Sequence, residues 1–383
     1  MSVGKGMSEH YLDNSATTVT SENAAQKALM MMTTKYGNPS SLHKKGLEAE
    51  LEINKAREII ADSLSVDADE LYFTSGSTES NNTVIFGVAS AKRRAGKKIV
   101  TTAIEHSSVM ESLKKLENDG FEVIYLSPDE NGVVPPSSFE QAVDENTILV
   151  AVMAVNNEIG SIQNIERISK IVKRKNPDVI FHCDAVQAYG KMVLKPKKYN
   201  VDTLCVSAHK VHGPKGIGAL YIKKGVRIAP LIYGGEQQKK VRPGTESAPL
   251  IASFATAVEE FDIAKNREYV KSLNTYLKSE LLKIDSVTIN SSDDALEYVL
   301  NISVDSIKSE TMLHHLEQDN VYVSSSSACA KGKKSYVLKA LGLSDKLIDS
   351  SLRISFSKYN TKDDVDAFLA SLKNGINTLA KSK

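Results

Sequence analysis

Residues 179–222 read VIFHCDAVQAYGKMVLKPKKYNVDTLCVSAHKVHGPKGIGALYI, and this stretch contains three short β-rich apolar runs. The runs occupy residues 179–183, 203–207 and 218–222. Most are apolar on both faces, as strands are when helices cover both sides of a sheet. Polar residues, among them Asp184 and His209-Lys210, follow the first two runs directly. The pattern predicts buried strands that end at a polar edge.

The same kind of run recurs towards the N-terminus, where runs alternate with longer helical segments. Four more runs occupy residues 71–73, 98–103, 122–126 and 148–155. Such alternation is typical of α/β folds with a doubly wound, mostly parallel sheet. We therefore predict a seven-stranded sheet with helices on both faces. In such sheets, ligands bind at the carboxyl ends of the strands.

The pattern changes after about residue 250. A long helical stretch, 250–282 with a break near Asn266, precedes a smaller mixed region. That region shows a helix near 310–319, a final amphipathic helix capped by Thr361 and Asp364, and strands near 298–302, 321–323 and Arg353. We predict a large domain of residues 16–260, and a smaller α+β domain of residues 1–15 and 261–383.

The composition of the 383 residues excludes several classes of protein. The 48 Lys and Arg against 47 Asp and Glu leave a net charge of +1, which gives no overall field for nucleic acid or membrane. No apolar run reaches the roughly 18 residues of a membrane span. The first ten residues lack the apolar stretch of a signal peptide, and three cysteines cannot form a disulfide framework. We expect a cytoplasmic protein without direct nucleic-acid or membrane partners.

Three segments at predicted strand ends carry chemistry. Lys210, in a Gly- and Pro-rich turn, suits a Schiff-base lysine, although such a lysine alone is more often a solvated loop residue. Asp184 could face a protonated pyridine nitrogen or simply cap the next helix. The hydroxyl-rich turn 73–79 before a helix could bind a phosphate ester or be an ordinary cap. Together, in this order, they are what pyridoxal phosphate requires.

A metal site is a weaker alternative. His182, Asp184, His209 and His212 are the candidate ligands, but His182 and Asp184 share a side only while their strand lasts, and no tight ligand pair exists. We therefore predict no metal.

Ten colinear motifs resemble the cysteine desulfurases of the NifS/IscS type, which are fold-type-I pyridoxal-phosphate enzymes of the class V aminotransferase family. The resemblance covers about residues 10–380. The matching stretches are 11–18, 36–40, 73–80, 105–106, 155–160, 184–187, 207–216, 242–245, 324–329 and 351–355.

The resemblance implies a fold-type-I fold and specific roles. Lys210 would bind the cofactor and shuttle the substrate Cα proton, while His106 would stack on the ring and pass protons. Asn157 and Arg353 would orient L-cysteine, Arg353 through its carboxylate. The remaining contacts to the cofactor would come from Ser77, Thr78, Asp184, Gln187, Ser207, His209 and, from the partner subunit of a homodimer, Thr245.

The three cysteines differ in setting. Cys183 and Cys205 lie inside apolar runs, where a thiol acts as a small hydrophobic group. Cys329 lies in a small-residue segment, and Lys331, Lys333 and Lys334 would favour its thiolate. Without the other motifs it would be an incidental loop cysteine; with them, it resembles the desulfurase nucleophile that receives sulfur as a persulfide.

The partners and alternatives stay open at this point. The resemblance implies transfer of sulfur to an acceptor protein, for iron–sulfur cluster assembly or for tRNA thiolation. Because the chain ends at Lys383, shortly after the last helix and without the extension that binds the scaffold in the iron–sulfur members, a specialised acceptor such as a tRNA sulfurtransferase stays open beside the scaffold. The alternatives are a selenocysteine lyase or class V aminotransferase of the same fold, and a catalytically inactive binding protein.

Overall fold

A computed structural model describes residues 9–325 and 334–379. Seven strands form the central sheet, and they coincide with the seven apolar runs. The strands are β2 (Leu71–Thr74), β3 (Lys98–Thr102), β4 (Glu122–Leu126), β5 (Thr147–Met153), β6 (Ile180–Asp184), β7 (Thr203–Ser207) and β8 (Gly218–Ile222). Their order across the sheet is β2-β8-β7-β6-β5-β3-β4.

The central sheet is mostly parallel, as predicted. The neighbours β7, β6, β5, β3 and β4 pair in parallel, whereas β8 pairs antiparallel with both β2 and β7. Strand β8 is thus the one strand of this sheet with reversed direction. The carboxyl ends of the other six strands lie along one edge, which is where the polar segments follow.

Helices cover both faces of the central sheet. Strand β5 lies between these helices, which explains why almost all of its residues are apolar. All seven of its residues are buried. Val150 and Val152 belong to one hydrophobic cluster, whereas Leu149 and Ala151 belong to another. Because successive strand residues point to opposite faces, the two clusters lie on opposite sides of the sheet. The predicted layered architecture is confirmed.

The helices of the first 260 residues run between these strands. They are α1 (Glu22–Thr33), α2 (Lys44–Leu64), α3 (Ser77–Ala91), α4 (Ser107–Asn118), α5 (Pro136–Ala142), α6 (Ile165–Lys175) and α7 (Ala248–Glu259). Helix α8 (Ile263–Leu281) follows α7 after a short break. The predicted break near Asn266 is wrong by a few residues, because the Asp262 side chain accepts from Lys265 N at 3.2 Å and caps α8 there.

A second sheet of four strands follows, in the order β12-β13-β10-β9. Its strands are β9 (Val287–Ile289), β10 (Val299–Val304), β12 (Ser324–Ser325) and β13 (Ser351–Ser355). The helices of this region are α9 (Ser309–Gln318), α10 (Tyr336–Ala340), α11 (Asp345–Asp349) and α12 (Lys362–Thr378). Helix α12 begins with the predicted capping box, in which Thr361 and Asp364 exchange hydrogen bonds.

Residues 10–18, here called the N-terminal arm, join the two ends of the chain. Strand β1 (His10–Tyr11) pairs in parallel with β11 (Val321–Tyr322). Ser355 N then donates to Leu12 O at 2.7 Å, and Thr18 N donates to His209 O at 2.8 Å. The arm therefore runs from the second sheet to the edge of the central sheet.

The predicted division into domains at residues 15/16 and 260/261 stays a prediction. In the part of the chain that the structure describes, no helix is both long and apolar enough to cross a membrane.

Candidate functional site

Three of the functional residues predicted from sequence lie where strands of the central sheet end. Asp184 is the last residue of β6, and Lys210 follows β7 in a 3₁₀ turn over Ala208–Lys210. His106 follows β3 and is the N-cap of α4. Because β7, β6 and β3 run in the same direction, with only β5 between β6 and β3, the topology brings the three side chains to one edge. The charges of Asp184 and Lys210 both act on the His106 imidazole.

Asp184 is buried and hydrogen-bonded at both carboxylate oxygens. Asn81 Nδ2 donates to its Oδ2 at 2.8 Å, and Val186 N donates to its Oδ1 at 3.1 Å. The second bond closes a turn, and the described residues between β6 and β7 include no helix, so the alternative of a helix-capping Asp184 is wrong. The first bond fixes the carboxylate against α3. Asp184 therefore has both a turn-closing bond and a fixed orientation at the strand end.

His106 is held as a hydrogen-bond acceptor. Its Nδ1 accepts from Ser108 N at 3.2 Å and lies 2.9 Å from Ser108 Oγ. Burial lowers the pKa of the imidazole; the nearby Asp184 charge raises it, and the Lys210 charge lowers it. The neutral ring is therefore favoured near pH 7.

Lys210 extends to the N-terminal arm. Its Nζ donates to Ser15 O at 2.7 Å and to Ala16 O at 2.6 Å. The arm is itself held by Thr18, whose hydroxyl donates to His209 O at 3.0 Å and accepts from His212 N at 2.8 Å. Lys210 is thus not the solvated loop lysine that the sequence allowed as an alternative.

Gln187 and Lys191 form a buried pair beside this lysine. Lys191 Nζ donates to Gln187 Oε1 at 3.0 Å, and Gln187 Nε2 donates to Ser15 O at 3.0 Å. Burial, with the charges of Lys210 and Arg353, lowers the Lys191 pKa to about 7. Because Lys191 holds the amide oxygen of Gln187, the donating end of that amide points to the arm and Lys210.

The turn before α3 borders an open cleft of about 410 Å³. Its lining includes Ser77, Thr78, Ser207 and His209, and no side chain caps α3. Gly76 reaches this geometry with φ of 152°, which other residues rarely adopt. Helix N–H groups and hydroxyls together make this cleft suitable for a phosphate group.

Thr245 of this chain lies elsewhere. It lines a neighbouring cavity that shares only Ser75 and Gly216 with the cleft. The structure therefore does not bring the chain's own Thr245 into the cleft.

Arg353 occupies β13 and is buried, with only 4% of its surface exposed. Its Nη2 pairs with Asp13 Oδ1 at 2.7 Å, and its Nη1 donates to Asn157 O at 3.1 Å. Arg353 is therefore not an exposed arginine with its charge in water. Its Nε has no partner among the described residues, so the guanidinium keeps donor capacity. Asn157 approaches Arg353 through its backbone oxygen.

Two of the three cysteines lie in the described residues, and both are in the buried setting predicted for them. Cys183 and Cys205 are buried, and burial raises the pKa of both thiols well above the ordinary value. Cys329 lies outside the described residues, as do Lys331 and Lys333. Lys334 contacts Asp345 and Asp349 at 3.0 and 3.2 Å, so two carboxylates already neutralise its charge.

Both described flanks of the Cys329 segment are attached to this site. On one side, Ser324 pairs with Arg353 in the second sheet. On the other, Ser335 Oγ donates to Glu158 Oε2 at 2.6 Å, and the Tyr336 hydroxyl donates to Glu105 O. Glu105 directly precedes His106.

Glu105 is a buried carboxyl that the sequence reasoning did not single out. Its Oε1 accepts from Thr102 Oγ1 at 2.6 Å and from Met153 N at 2.9 Å. Its Oε2 has no partner within residues 9–325 and 334–379. Burial raises the pKa of this carboxyl from 4.5 to about 8, so it is mostly protonated at neutral pH.

We predict that this carboxyl makes the protein less stable as pH rises from 4.5 to about 8. In that window the folded state holds a proton that the unfolded state has lost, which reduces the unfolding free energy by up to about 1.4 kcal/mol per pH unit. Glu105→Gln should flatten that slope in urea unfolding measured at several pH values. Exposed Glu111→Gln, the matched control, should keep it. Equal slopes in native protein and Glu105→Gln would contradict the prediction.

The donor set fits pyridoxal phosphate by its chemistry. The cleft at α3 supplies uncapped N–H groups and hydroxyls for a phosphate, Asp184 supplies a fixed carboxylate, and Lys210 supplies an amine. Among the described residues, no group of three or more His, Cys, Asp or Glu side chains is arranged so that it could hold a metal ion.

The sequence reasoning missed several members of the site. Ser15 and Ala16 contribute backbone oxygens, which no side-chain pattern reveals. Asn81 and Lys191 were also missed. A signal existed for both, since Asn81 follows the 73–80 motif directly and Lys191 follows the 184–187 motif by four residues.

The chain is similar to known proteins over almost its full length. The family description "Aminotransferase class-V" matches residues 10–368. A cysteine desulfurase IscS of Methanosarcina thermophila is 42% identical over 364 residues, which cover 94% of this chain and 90% of that protein. A solved NifS-like protein superposes with a TM-score of 0.93 at 38% identity, covering 97% of this chain and all of that one.

A third similarity is to a solved complex. SspA in complex with cysteine is 33% identical, with a TM-score of 0.82 over 92% of this chain and 100% of that chain. The match spans both sheets and nearly the full length, and confirms the fold and family predicted from the motifs. The chain belongs to the aminotransferase class-V family.

Proposed function

We propose that this protein is a pyridoxal-phosphate-dependent cysteine desulfurase, which converts L-cysteine to L-alanine and passes the sulfur on. The observation that carries the proposal is the convergence of a phosphate-suited cleft, Asp184, Lys210 and a buried arginine from separate parts of the chain. Relatives named cysteine desulfurase IscS and a similar structure in complex with cysteine support the choice of substrate.

Different residues would bind different parts of the cofactor. When bound, pyridoxal phosphate supplies an electron sink that makes the substrate Cα proton acidic. When the cofactor is bound, Ser77, Thr78, Ser207 and His209 would hold the phosphate in the cleft that they line. Asp184 would pair with the pyridine nitrogen, Gln187 would donate to the ring hydroxyl, and His106 would stack on the ring.

Arg353 and Lys210 act on the substrate. Arg353 grips the cysteine carboxylate with its guanidinium, and Asn157 lies beside it. Lys210 takes the Cα proton and returns it, as a positioned amine does in general acid–base catalysis. Both side chains are preorganised, Arg353 by Asp13 and Lys210 by the oxygens of the N-terminal arm.

Cys329 is the proposed sulfur acceptor within the chain. Its thiolate attacks the cysteine sulfur, and the Cβ–S bond of the substrate breaks with its electron pair left on Cβ. Cβ then takes up a proton, and the products are alanine and a persulfide on Cys329. Support comes from the flanks of its segment, since Ser324 is paired with Arg353 and Tyr336 contacts the residue before His106.

The deciding experiment measures alanine and protein-bound sulfur in single turnover. Native protein loaded with pyridoxal phosphate should form alanine from L-cysteine and gain one sulfur on the peptide that contains Cys329, as read by mass spectrometry. Cys329→Ala should bind cysteine with the same spectral change and form no persulfide. Full alanine production by Cys329→Ala would contradict the proposal, whereas Cys183→Ala serves as the control.

Two alternatives predict other outcomes. A selenocysteine lyase or an aminotransferase of this fold would release its product without labelling Cys329. An inactive binding protein would stay colourless after incubation with pyridoxal phosphate. The fixed carboxylate of Asp184 and the held amine of Lys210 favour the active enzyme.

The proposal includes a homodimer in which Thr245 of one subunit reaches the phosphate cleft of the other. Exposed apolar side chains concentrate between residues 19 and 51, as an interface would require: Val19, Leu29, Met32, Leu42, Leu47 and Leu51. A monomer in sedimentation velocity would contradict the proposed homodimer.

We further propose a cytoplasmic location and transfer of sulfur to an acceptor protein, either an iron–sulfur scaffold or a tRNA sulfurtransferase.

A further inference from the structure

Asn81 of α3 has no role in the mechanism proposed above, yet its fully buried amide contacts four polar side chains of the site. Its Nδ2 donates to Asp184 Oδ2 at 2.8 Å and to Ser108 Oγ at 2.9 Å. Its Oδ1 lies 2.8 Å from His182 Nε2 and 3.0 Å from Cys205 Sγ. The amide thus uses both N–H groups and its oxygen.

The directions of these bonds follow from Asp184. An ionised carboxylate only accepts, so the amide nitrogen of Asn81 must face it and the amide oxygen must face His182. His182 Nε2 therefore carries a proton. Its Nδ1, 2.9 Å from Thr203 Oγ1, accepts, since burial lowers the His182 pKa to about 4 and the ring is neutral.

The same logic extends from Asn81 to His106. Because Ser108 Oγ accepts from Asn81, the Ser108 hydroxyl proton is available to donate to His106 Nδ1. That nitrogen also accepts from Ser108 N. With two donors directed at it, Nδ1 holds no proton. A neutral His106 must therefore carry its proton on Nε2.

We propose that Asn81 is a positioning residue that connects Asp184 to His106 and keeps His106 neutral, with its proton on Nε2. Within the proposed desulfurase reaction, on which this consequence rests, His106 starts as a hydrogen-bond donor through Nε2 and not as a base. The position of the proton on His106 is inferred only from hydrogen bonds within this chain, so it does not depend on the proposed reaction.

The surroundings of His106 support this state. Burial opposes its protonation; among the charged groups that act on it, Asp184 on β6 favours protonation and Lys210 after β7 opposes it. Glu105, the preceding residue, is mostly protonated at neutral pH and adds little charge. Asn81 reduces the influence of Asp184, because it donates to the carboxylate.

The test uses full-length protein labelled with ¹⁵N in histidine, with His106→Asn to assign the signals. Native protein should show His106 neutral and protonated at Nε2 across neutral pH. In Asn81→Ala, the His106 pKa should rise, and kcat/KM should fall about tenfold for the loss of one hydrogen bond to a charged group. The visible absorption of the cofactor-loaded protein should titrate at a different pH, because Asp184 has lost a partner.

Two further variants keep the test decisive. Ser108→Ala, a milder change, should raise the His106 pKa while the absorption titration stays native, because the Asp184–Asn81 bond remains. Asn82→Ala, whose amide bonds only to Thr78 O at 2.8 Å in its own helix, should match native protein in both. The inference is wrong if native His106 carries its proton on Nδ1, or if Asn81→Ala and Ser108→Ala both leave the His106 signals unchanged. These readouts do not require desulfurase activity.

Discussion

Lys210→Ala is expected to lower kcat/KM for L-cysteine by about 10²–10⁴-fold, the usual contribution of a positioned proton-transfer group. The variant should also lose covalent attachment of pyridoxal phosphate. The prediction distinguishes Lys210 from a second lysine, Lys191, whose amine is close enough for the two charges to interact. Burial, with the charges of Lys210 and Arg353, lowers the pKa of Lys191 to about 7, so part of this amine is unprotonated near neutral pH. It is buried and bonded to Gln187, so we expect no attachment there.

Borohydride reduction followed by peptide mass spectrometry measures the attachment site directly. Native protein should carry the reduced cofactor on the peptide that contains Lys210, and Lys210→Ala should carry none. Exposed Lys224→Ala is the matched control and should behave as native protein. Labelling of Lys191 in native protein would show that the assignment of Lys210 is wrong.

Arg353→Leu is expected to raise KM for L-cysteine and to reduce kcat/KM by roughly 100-fold, because two bonds to a carboxylate are worth about 3 kcal/mol or more. It should also lower the unfolding free energy by up to about 3 kcal/mol, since the partly buried Asp13 is left without its partner. Steady-state kinetics and urea unfolding separate the two effects. Arg353→Lys should fall between native protein and Arg353→Leu in KM.

Asp13→Asn is the control for stability. It removes the ion pair but keeps the guanidinium, so it should destabilise the protein while preserving most of the affinity for cysteine. If Arg353→Leu left KM at the native value, Arg353 would be a structural residue only, and the substrate carboxylate would bind elsewhere.

Most of the fold could be predicted from sequence because its strands are buried on both faces. Runs such as residues 148–155 are apolar at every position, so they do not have the pattern of an amphipathic helix. Helical segments separate most of these runs along the chain. The direction of β8 could not be predicted. A strand with two buried faces has the same pattern whether it runs up or down, and only the pairing of Gly218–Ile222 with β7 and β2 sets its direction.

The site was predictable to the extent that side chains follow strands. Asp184 and Lys210 could be found in this way, whereas His106 is identified through the resemblance to the NifS/IscS type. The contacts of Ser15 and Ala16 could not be found, because both act through backbone oxygens, and the signal for Asn81 is only its place directly after the 73–80 motif. Buried polar partners satisfy one another in three dimensions, and their spacing along the chain carries no common period.

The N-terminal arm has a consequence for the order in which the protein becomes functional during synthesis. Its first residues pair with Tyr322, Arg353 and Ser355, more than 300 residues later in the chain, whereas Thr18 is held by His209 and His212. A ribosome that has made the seven strands of the central sheet has therefore made the partners of one end of the arm and not yet those of the other. Long-range contacts of this kind form slowly. The arm is fixed at both ends only when the chain is almost complete, so a nascent chain acquires its central sheet well before it acquires a finished site.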